Sequence, residues 1–522
     1  MIKFSHFFPI LFFSCFAFST EVTEKNQADS FDKFLANKLK PTQVSQLFTE
    51  CKKSDNYSVF CYSILNRDKL ELKLKNLKAS KKISRIKTRP MRIKFKQGNI
   101  ENWMELRFAS VQSLLKGISS LNPSEIKLVQ TAALNEKNCP NNAAIATAAV
   151  LEDKLPDTSK FEDLGDLYEK GTYCLTDSAE EQSVLHTRAG IFYFAGKQYE
   201  KAESCFKTVQ NLTEVYKGRA LYWLYRTQLQ LGKKKDAMKA LDELQISYPF
   251  SFHTLVALTS IGEDPGDLLT NTPASKLTRS SRVPHLNTLL KQVEILNKYS
   301  YENSAEKVLD WALLESQGVE PEVMLYIVEL KEERGSYQAT LNILSDVLYK
   351  NPDLISRRTM EKYFPKVYFP IFEKNSNGVD PFLLLSIARR ESAFNKRALS
   401  SANARGLMQV VPQRRGRYKT RVDLFDPENN VKAGSKFFSE LLTRVDGQVH
   451  LALAGYNAGP QRISQWTSRY PVAEPIMFID LIPYRETRDY VAAVLRNYYW
   501  YRRIHHIDKR TPASIKTLTT GN

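Results

Sequence analysis

Cysteine is scarce in this chain of 522 residues: there are six, and none lies beyond Cys205. The seven histidines form no group with metal-ligand spacing, and the adjacent His505 and His506 would point in different directions on a helix, so no metal and no cofactor is expected. Long apolar runs are also missing. The run from Phe7 to Phe18 is too short to span a bilayer, and no later run is longer. Acidic residues are short in number, 57 against 75 lysines and arginines, which leaves a net charge of +18. Between Glu101 and Pro352 strand signals are few, and the chain reads as helix.

What is present at the amino terminus is a secretion signal over residues 1–19: Lys3 gives a weakly basic start, the apolar run follows, and Ala17-Phe18-Ser19 is a small-x-small cleavage site. The mature protein is therefore expected outside the cytoplasm, in the periplasm. Phe12-Phe13-Ser14-Cys15 departs from a lipoprotein box at Phe12, and an outer-membrane anchor at Cys15 is the alternative. An oxidising compartment permits disulfides, and Cys51 with Cys61 and Cys139 with Cys174 are the pairs to test; buried free thiols are the alternative.

The positive charge is concentrated. From Arg67 to Lys96 thirteen Lys or Arg stand against Asp68 and Glu71 alone. Such a block is commonly a solvated arm. Leu70, Leu72, Leu74, Leu77, Ile83, Ile86, Ile93 and Phe95 interleave with it, which would let Lys69 to Lys96 lie on an anionic membrane surface. Nucleic acid would suit the charge, but the export signal puts it in the wrong compartment.

Asp380 to Pro412 holds the candidate chemistry. Asp380 is a helix cap and Pro381 fits the first helical position. Leu384, Ile387, Ala388 and Glu391 follow at i, i+3, i+4 and i+7, so a carboxylate falls on an apolar stripe, with Arg389 and Arg390 read as the charged face. A glutamate at the mouth of a core loses hydration, which raises its pKa and lets it hold a proton near neutrality as a general acid must. Farther on, Val431, Phe437, Phe438, Leu441 and Leu442 read as core positions of a helix that follows Asp423–Asn430. A helix from His450 to Tyr456 should end at Asn457-Ala458-Gly459, before Pro460 opens the next.

Three segments carry a resemblance. Glu391-Ser392-Ala393-Phe394-Asn395 with Ser400 and Ala404-Arg405-Gly406-Leu407-Met408-Gln409, then Ala452-Leu453-Ala454-Gly455-Tyr456-Asn457-Ala458-Gly459-Pro460, then Ile482-Pro483-Tyr484-Arg485-Glu486-Thr487-Arg488-Asp489-Tyr490-Val491, resemble the motifs of the soluble lytic murein transglycosylases. Upstream, Arg219 to Trp223 and Tyr248 to Phe252 resemble that family's superhelical domain. Gly196, Tyr199, Ala202 and Phe206 match a tetratricopeptide-like hairpin, repeated at Gly232, Ala237, Leu241 and Pro249 and again at Gly335, Tyr337, Ala339, Ile343 and Pro352. The expected architecture is all-α: a segment 20–100 with the basic arm, a superhelix over 101–357 and a lysozyme-like catalytic domain over 358–522.

The resemblance implies cleavage of the β-1,4 bond between N-acetylmuramic acid and N-acetylglucosamine in peptidoglycan glycan strands, with closure of a 1,6-anhydro ring and a single glutamate, Glu391, as acid and then base. It places Tyr456 near the reacting centre, Ser400, Gln409 and Asn457 along the groove, and Glu486 at its edge. For Ser400 a turn role is the alternative, for Glu486 an ion pair with Arg485 or Arg488; Tyr490 is read as a core residue. Lys396, Asn403 and Asp480 depart from the family's usual proline, glycine and glutamate, and Asn403 is expected to keep the turn because Asn tolerates positive φ. Two rivals stand beside this reading: a hydrolytic muramidase, and a non-catalytic helical scaffold that only binds glycan.

Overall fold

A computed structural model describes residues 24–505 and Ile515, apart from segments 54–57, 81–88, 97, 155–160, 176–177, 215, 270–280, 317–319, 333–334, 336 and 413–422. The signal segment and the middle of the basic stretch lie outside the described residues. The described chain is all-α; its strand content is one hairpin, Phe95–Lys96 with Asn99–Ile100, and isolated bridges that join Leu399, Arg405 and Val410. Among the described residues no helix is long and apolar enough to cross a membrane.

Contacts divide the chain into two compact units, one of residues 1–85 with 274–354, the other of 86–273 with 355–522. The stretch 101–357 is thus shared between units and does not close at its expected ends. The reason lies in the first unit, where the helix Ser58–Ser80 packs on Pro284–Lys298 and Glu302–Ser316. Ser63 donates to Gln292 at 2.7 Å in the interior, Leu70 is buried, and Glu71 pairs with Lys307 at 2.5 Å. The basic stretch therefore begins as a packed helix, not as a free arm. Cys51 and Cys61 are joined by a disulfide in the same unit.

In the second unit, helices from Asn142–Lys154 to Lys234–Ser247 each pack on the next in chain order. Close packing selects small residues here: a Cβ on Gly190 would come within 2.6 Å of the Phe206 ring. Ala202, Phe206, Ala237 and Leu241, expected at hairpin seams, are buried. Cys139 and Cys174 form the second disulfide, while Cys205 is a buried free thiol whose pKa burial pushes up.

The same unit closes around Arg485–His505, the helix on which Pro381–Ser392, Val449–Ala458 and Pro475–Leu481 all pack. Tyr499, Trp500 and Tyr501 on it are almost wholly buried. The helix Pro427–Arg444 buries Val431, Phe438 and Leu441 as expected, and Leu442 half-buried. Phe437 departs from expectation: it is 38% exposed, because its ring turns out of the core to lie 5.4 Å from that of Tyr456.

Candidate functional site

The acid helix forms as its sequence predicts. Asp380 accepts from the Phe382 amide at 2.8 Å, and its second carboxylate oxygen takes Tyr498 at 2.7 Å and Arg502 at 2.6 Å. Leu384, Ile387 and Ala388 are fully buried, and Glu391, one turn on, is half-buried. Arg389 does not share the charged face with Arg390. It is buried, donates to the Tyr363 carbonyl and stacks 4.4 and 4.5 Å from the centres of the Tyr363 and Phe364 rings, which replace the water a guanidinium would otherwise keep. Only Arg390 faces solvent.

After Ser392 the backbone turns sharply, with Ala393 at φ 47° and Phe394 at φ 66°. That reversal sends the chain into a loop folded back under Glu391. The Ser392 hydroxyl ties the loop to the helix by donating to the Leu407 carbonyl at 2.8 Å. The tightest constraint comes from a residue that sequence reading passed over as part of a turn. Asn430 is fully buried and accepts from the Met408 amide at 2.8 Å, while its own amide donates to the carbonyls of Arg405 at 2.7 Å and Leu424 at 2.8 Å. Gly406, at φ 71°, passes so close that a Cβ would meet the Leu424 carbonyl oxygen at 2.3 Å. Asn403 adopts φ 65°, so the turn is kept without the family's glycine.

Burial pushes the Glu391 carboxyl up to about 7; the Tyr490 hydroxyl and the Arg390 charge pull against it, and the Glu486 carboxylate adds to it. Tyr490 is therefore more than a core residue. It is buried, its hydroxyl meets no hydrogen-bond partner among the described residues, and burial with the nearby charge of Glu391 keeps its phenol protonated. Glu486 stands one turn earlier on Arg485–His505, exposed, and the two arginines expected to pair with it are engaged elsewhere: Arg485 with Asp489 at 3.8 Å, Arg488 with backbone carbonyls.

Tyr456 reaches the same place from Val449–Ala458. Burial, then the charge of Glu391, raises its phenol well above the usual value, and its hydroxyl donates to the Met408 carbonyl at 2.8 Å. Asn457 accepts from Thr487 at 2.6 Å, which joins this helix end to the first turn of Arg485–His505. Gln409, at φ 51°, donates to the Gly406 carbonyl at 2.9 Å. Ser400 accepts from the amides of Ala402 at 3.2 Å and Ala404 at 3.1 Å, the turn role that was its alternative. Glu391, Glu486, Tyr456 and Tyr490 thus come together, with Gln409 and Asn457 on the segments that frame them. Ser400 serves the loop.

Such a site can hold one proton on a carboxylic acid near neutral pH and present two neutral phenols beside it. Among the described residues no group of His, Cys, Asp and Glu could hold a metal ion.

Residues 369–477 match the family model of the transglycosylase SLT domain. The soluble lytic murein transglycosylase of Escherichia coli (strain K12) is 26% identical over 296 residues, 54% of this chain and 43% of that one. A putative soluble lytic murein transglycosylase of Haemophilus influenzae is 34% identical over 171 residues, 31% of this chain and 28% of that protein. The chain thus spans less than half the length of these curated relatives. The crystal structure of the 70 kDa soluble lytic transglycosylase of Escherichia coli overlays with a TM-score of 0.49 at 18% identity, covering 79% of this chain and 76% of that one.

Proposed function

With a transglycosylase SLT domain at residues 369–477 as the premise, we propose that the protein is a peptidoglycan lytic transglycosylase that cleaves the bond between N-acetylmuramic acid and N-acetylglucosamine. Glu391 gives its proton to the glycosidic oxygen as the C1–O4 bond breaks. The resulting carboxylate then takes the proton of the C6 hydroxyl of the same muramic acid as that oxygen bonds to C1, which closes the 1,6-anhydro ring and restores the acid. No water enters. The observation that carries this reading is the Glu391 carboxyl held at about 7 by loss of hydration beside the phenols of buried Tyr490 and half-buried Tyr456. Gln409, Asn457 and Glu486 are assigned to the glycan, and Ser400 to the loop beneath it.

One observation favours a second reading, hydrolysis. A hydrolytic glycosidase needs a second carboxylate, and the Glu486 charge is felt at Glu391. Mass spectrometry of digested sacculi decides between them. Anhydro ends, lighter by one water than reducing ends, are expected; mainly reducing-end muramic acid would overturn the transglycosylase reading and leave a muramidase.

Export to the periplasm is part of the proposal, supported by the signal-like residues 1–19 and by two disulfides, which persist in oxidising compartments. We also assign the basic stretch to an anionic surface. Lys69, Arg89, Arg92, Lys94 and Lys96 are all exposed, and each basic residue near an anionic bilayer contributes about 1 kcal/mol. Replacing these five with Gln should release the protein from phosphatidylglycerol vesicles at low salt in a pelleting assay. Equal pelleting of both forms would reduce the stretch to a structural connector.

A further inference from the structure

The turn that launches the helix of Glu486 and Tyr490 is not held by its own domain alone. Pro475–Leu481 ends at Ile482, and the next helix begins at Arg485. A helix end leaves its last carbonyls without intrahelical partners, and in a buried setting each needs a donor. Here those donors are two guanidinium groups. Arg488 gives to Ile482 at 2.5 Å and Pro483 at 3.0 Å. Arg188, nearly three hundred residues earlier, gives to the carbonyls of Asp480, Leu481 at 2.8 Å and Ile482 at 3.4 Å.

Arg188 is itself fixed from behind. Glu152 grips it with both oxygens, at 2.9 and 2.8 Å, and its guanidinium lies 4.6 Å from the centre of the Phe192 ring. Glu152 and Arg188 stand on Asn142–Lys154 and Ala179–Ala195 of the stacked-helix segment, and both are buried. A planar fork with five donors is what this task requires, since two bonds go to the carboxylate while others remain for the carbonyls.

We propose that Arg188, oriented by Glu152, is a positioning residue for the reaction: by terminating Pro475–Leu481 it fixes where Arg485–His505 starts, and so where Glu486 and Tyr490 stand against Glu391. The stacked-helix segment then completes the site's geometry as well as framing access to it. This inference rests on the transglycosylase reading for its activity readout, and on nothing but titration for the other.

The test uses the full chain with Arg188→Lys, which keeps the buried charge beside Glu152 but cannot span to three carbonyls, and Glu152→Gln with Arg188→Gln together, which removes both charges so that neither is left buried alone. On sacculi, kcat should fall about tenfold to a hundredfold, the cost of a misplacement near 1 Å, with KM within about threefold. The second readout needs no activity. The pH dependence of the difference in thermal stability between the parent and its Glu391→Gln form runs from the unfolded value, about 4.5, up to the folded Glu391 pKa of about 7, and the midpoint of that window should move in both Arg188 backgrounds. Lower melting temperatures with kcat and that midpoint unmoved would overturn the proposal and leave Arg188 as a structural contact. A wild-type chain without lytic activity would overturn the functional reading instead, while the midpoint would still judge Arg188.

Discussion

Glu391→Gln is expected to bind glycan strands and to turn them over at a rate lower by about 10²–10⁴-fold, the contribution typical of general acid–base catalysis. The amide matches the carboxyl in size and keeps an acceptor, so the loop tied through Ser392 and Asn430 should be undisturbed; what is lost is the proton. The wild-type profile carries the same signature. Because the acid must be protonated to act and its pKa is about 7, kcat/KM should decline as pH rises through neutrality. A flat profile to pH 9, or near-normal turnover in the variant, would remove Glu391 from its role.

The same substitution should stabilise the fold, and the sign follows from linkage. Glu391 titrates at about 7 when folded and near 4.5 when unfolded, so between those values the folded state holds a proton that the unfolded state has released. Stability therefore falls as pH rises across that window, by on the order of 3 kcal/mol for the full shift. Above pH 8 the wild type bears that whole cost and the glutamine form bears none. Its melting temperature should exceed the wild type's at pH 8 and approach it at pH 4. This is the stability a site gives up to keep an acid out of water.

The local part of this site was legible because it is written in neighbouring residues. Asp380-Pro381 marks a helix start, and the spacing of Leu384, Ile387, Ala388 and Glu391 marks its buried face. The end of Val449–Ala458 is announced by Gly459 and Pro460, whose positions in the fold are a cap at φ 92° and a first helical residue. Periodicity stops at the boundary of its own element. It could not show that Arg389 would find two rings and a carbonyl, or that Phe437 would leave the core for Tyr456. Nor could it show that Asn430, one asparagine of a pair, would thread three backbone bonds, since its partners lie 6 to 25 residues away on a loop. Tyr490 was read correctly as buried, but burial said nothing about which way its hydroxyl faced.

Asp480 shows that limit most sharply and carries the second large effect. In sequence it is only a departure from the family's glutamate; in the fold it is a wholly buried carboxylate that three side chains from distant parts of the chain reach. Trp223 donates to one oxygen at 2.7 Å and His253 meets the same oxygen at 2.9 Å, while Arg219 approaches the other at 3.2 Å and reaches on to Asp489 at 3.1 Å. Burial alone would raise the Asp480 pKa, but the Arg219 charge, His253 and the Trp223 bond outweigh it and hold the carboxyl well below the usual range. Burial lowers the His253 pKa, against the pull of the Asp480 charge. Replacing Asp480 with Asn preserves the shape and leaves the buried Arg219 with only the half-exposed Asp489. Breaking a buried pair from one side costs about 3–5 kcal/mol, and urea unfolding should register a loss in that range. The depressed pKa also fixes the pH window. The wild type gains this stability above the unfolded aspartate value, about 4, and loses it as pH falls below; the asparagine form should lack that acid-side slope. Asp480→Glu keeps the charge but forces one methylene into a site with no free surface, an overpacking cost of about 1–3 kcal/mol. A loss under about 0.5 kcal/mol in Asp480→Asn, the level of an ordinary surface change, would mean that Arg219 does not depend on Asp480 and that Asp489 alone suffices as its ionic partner.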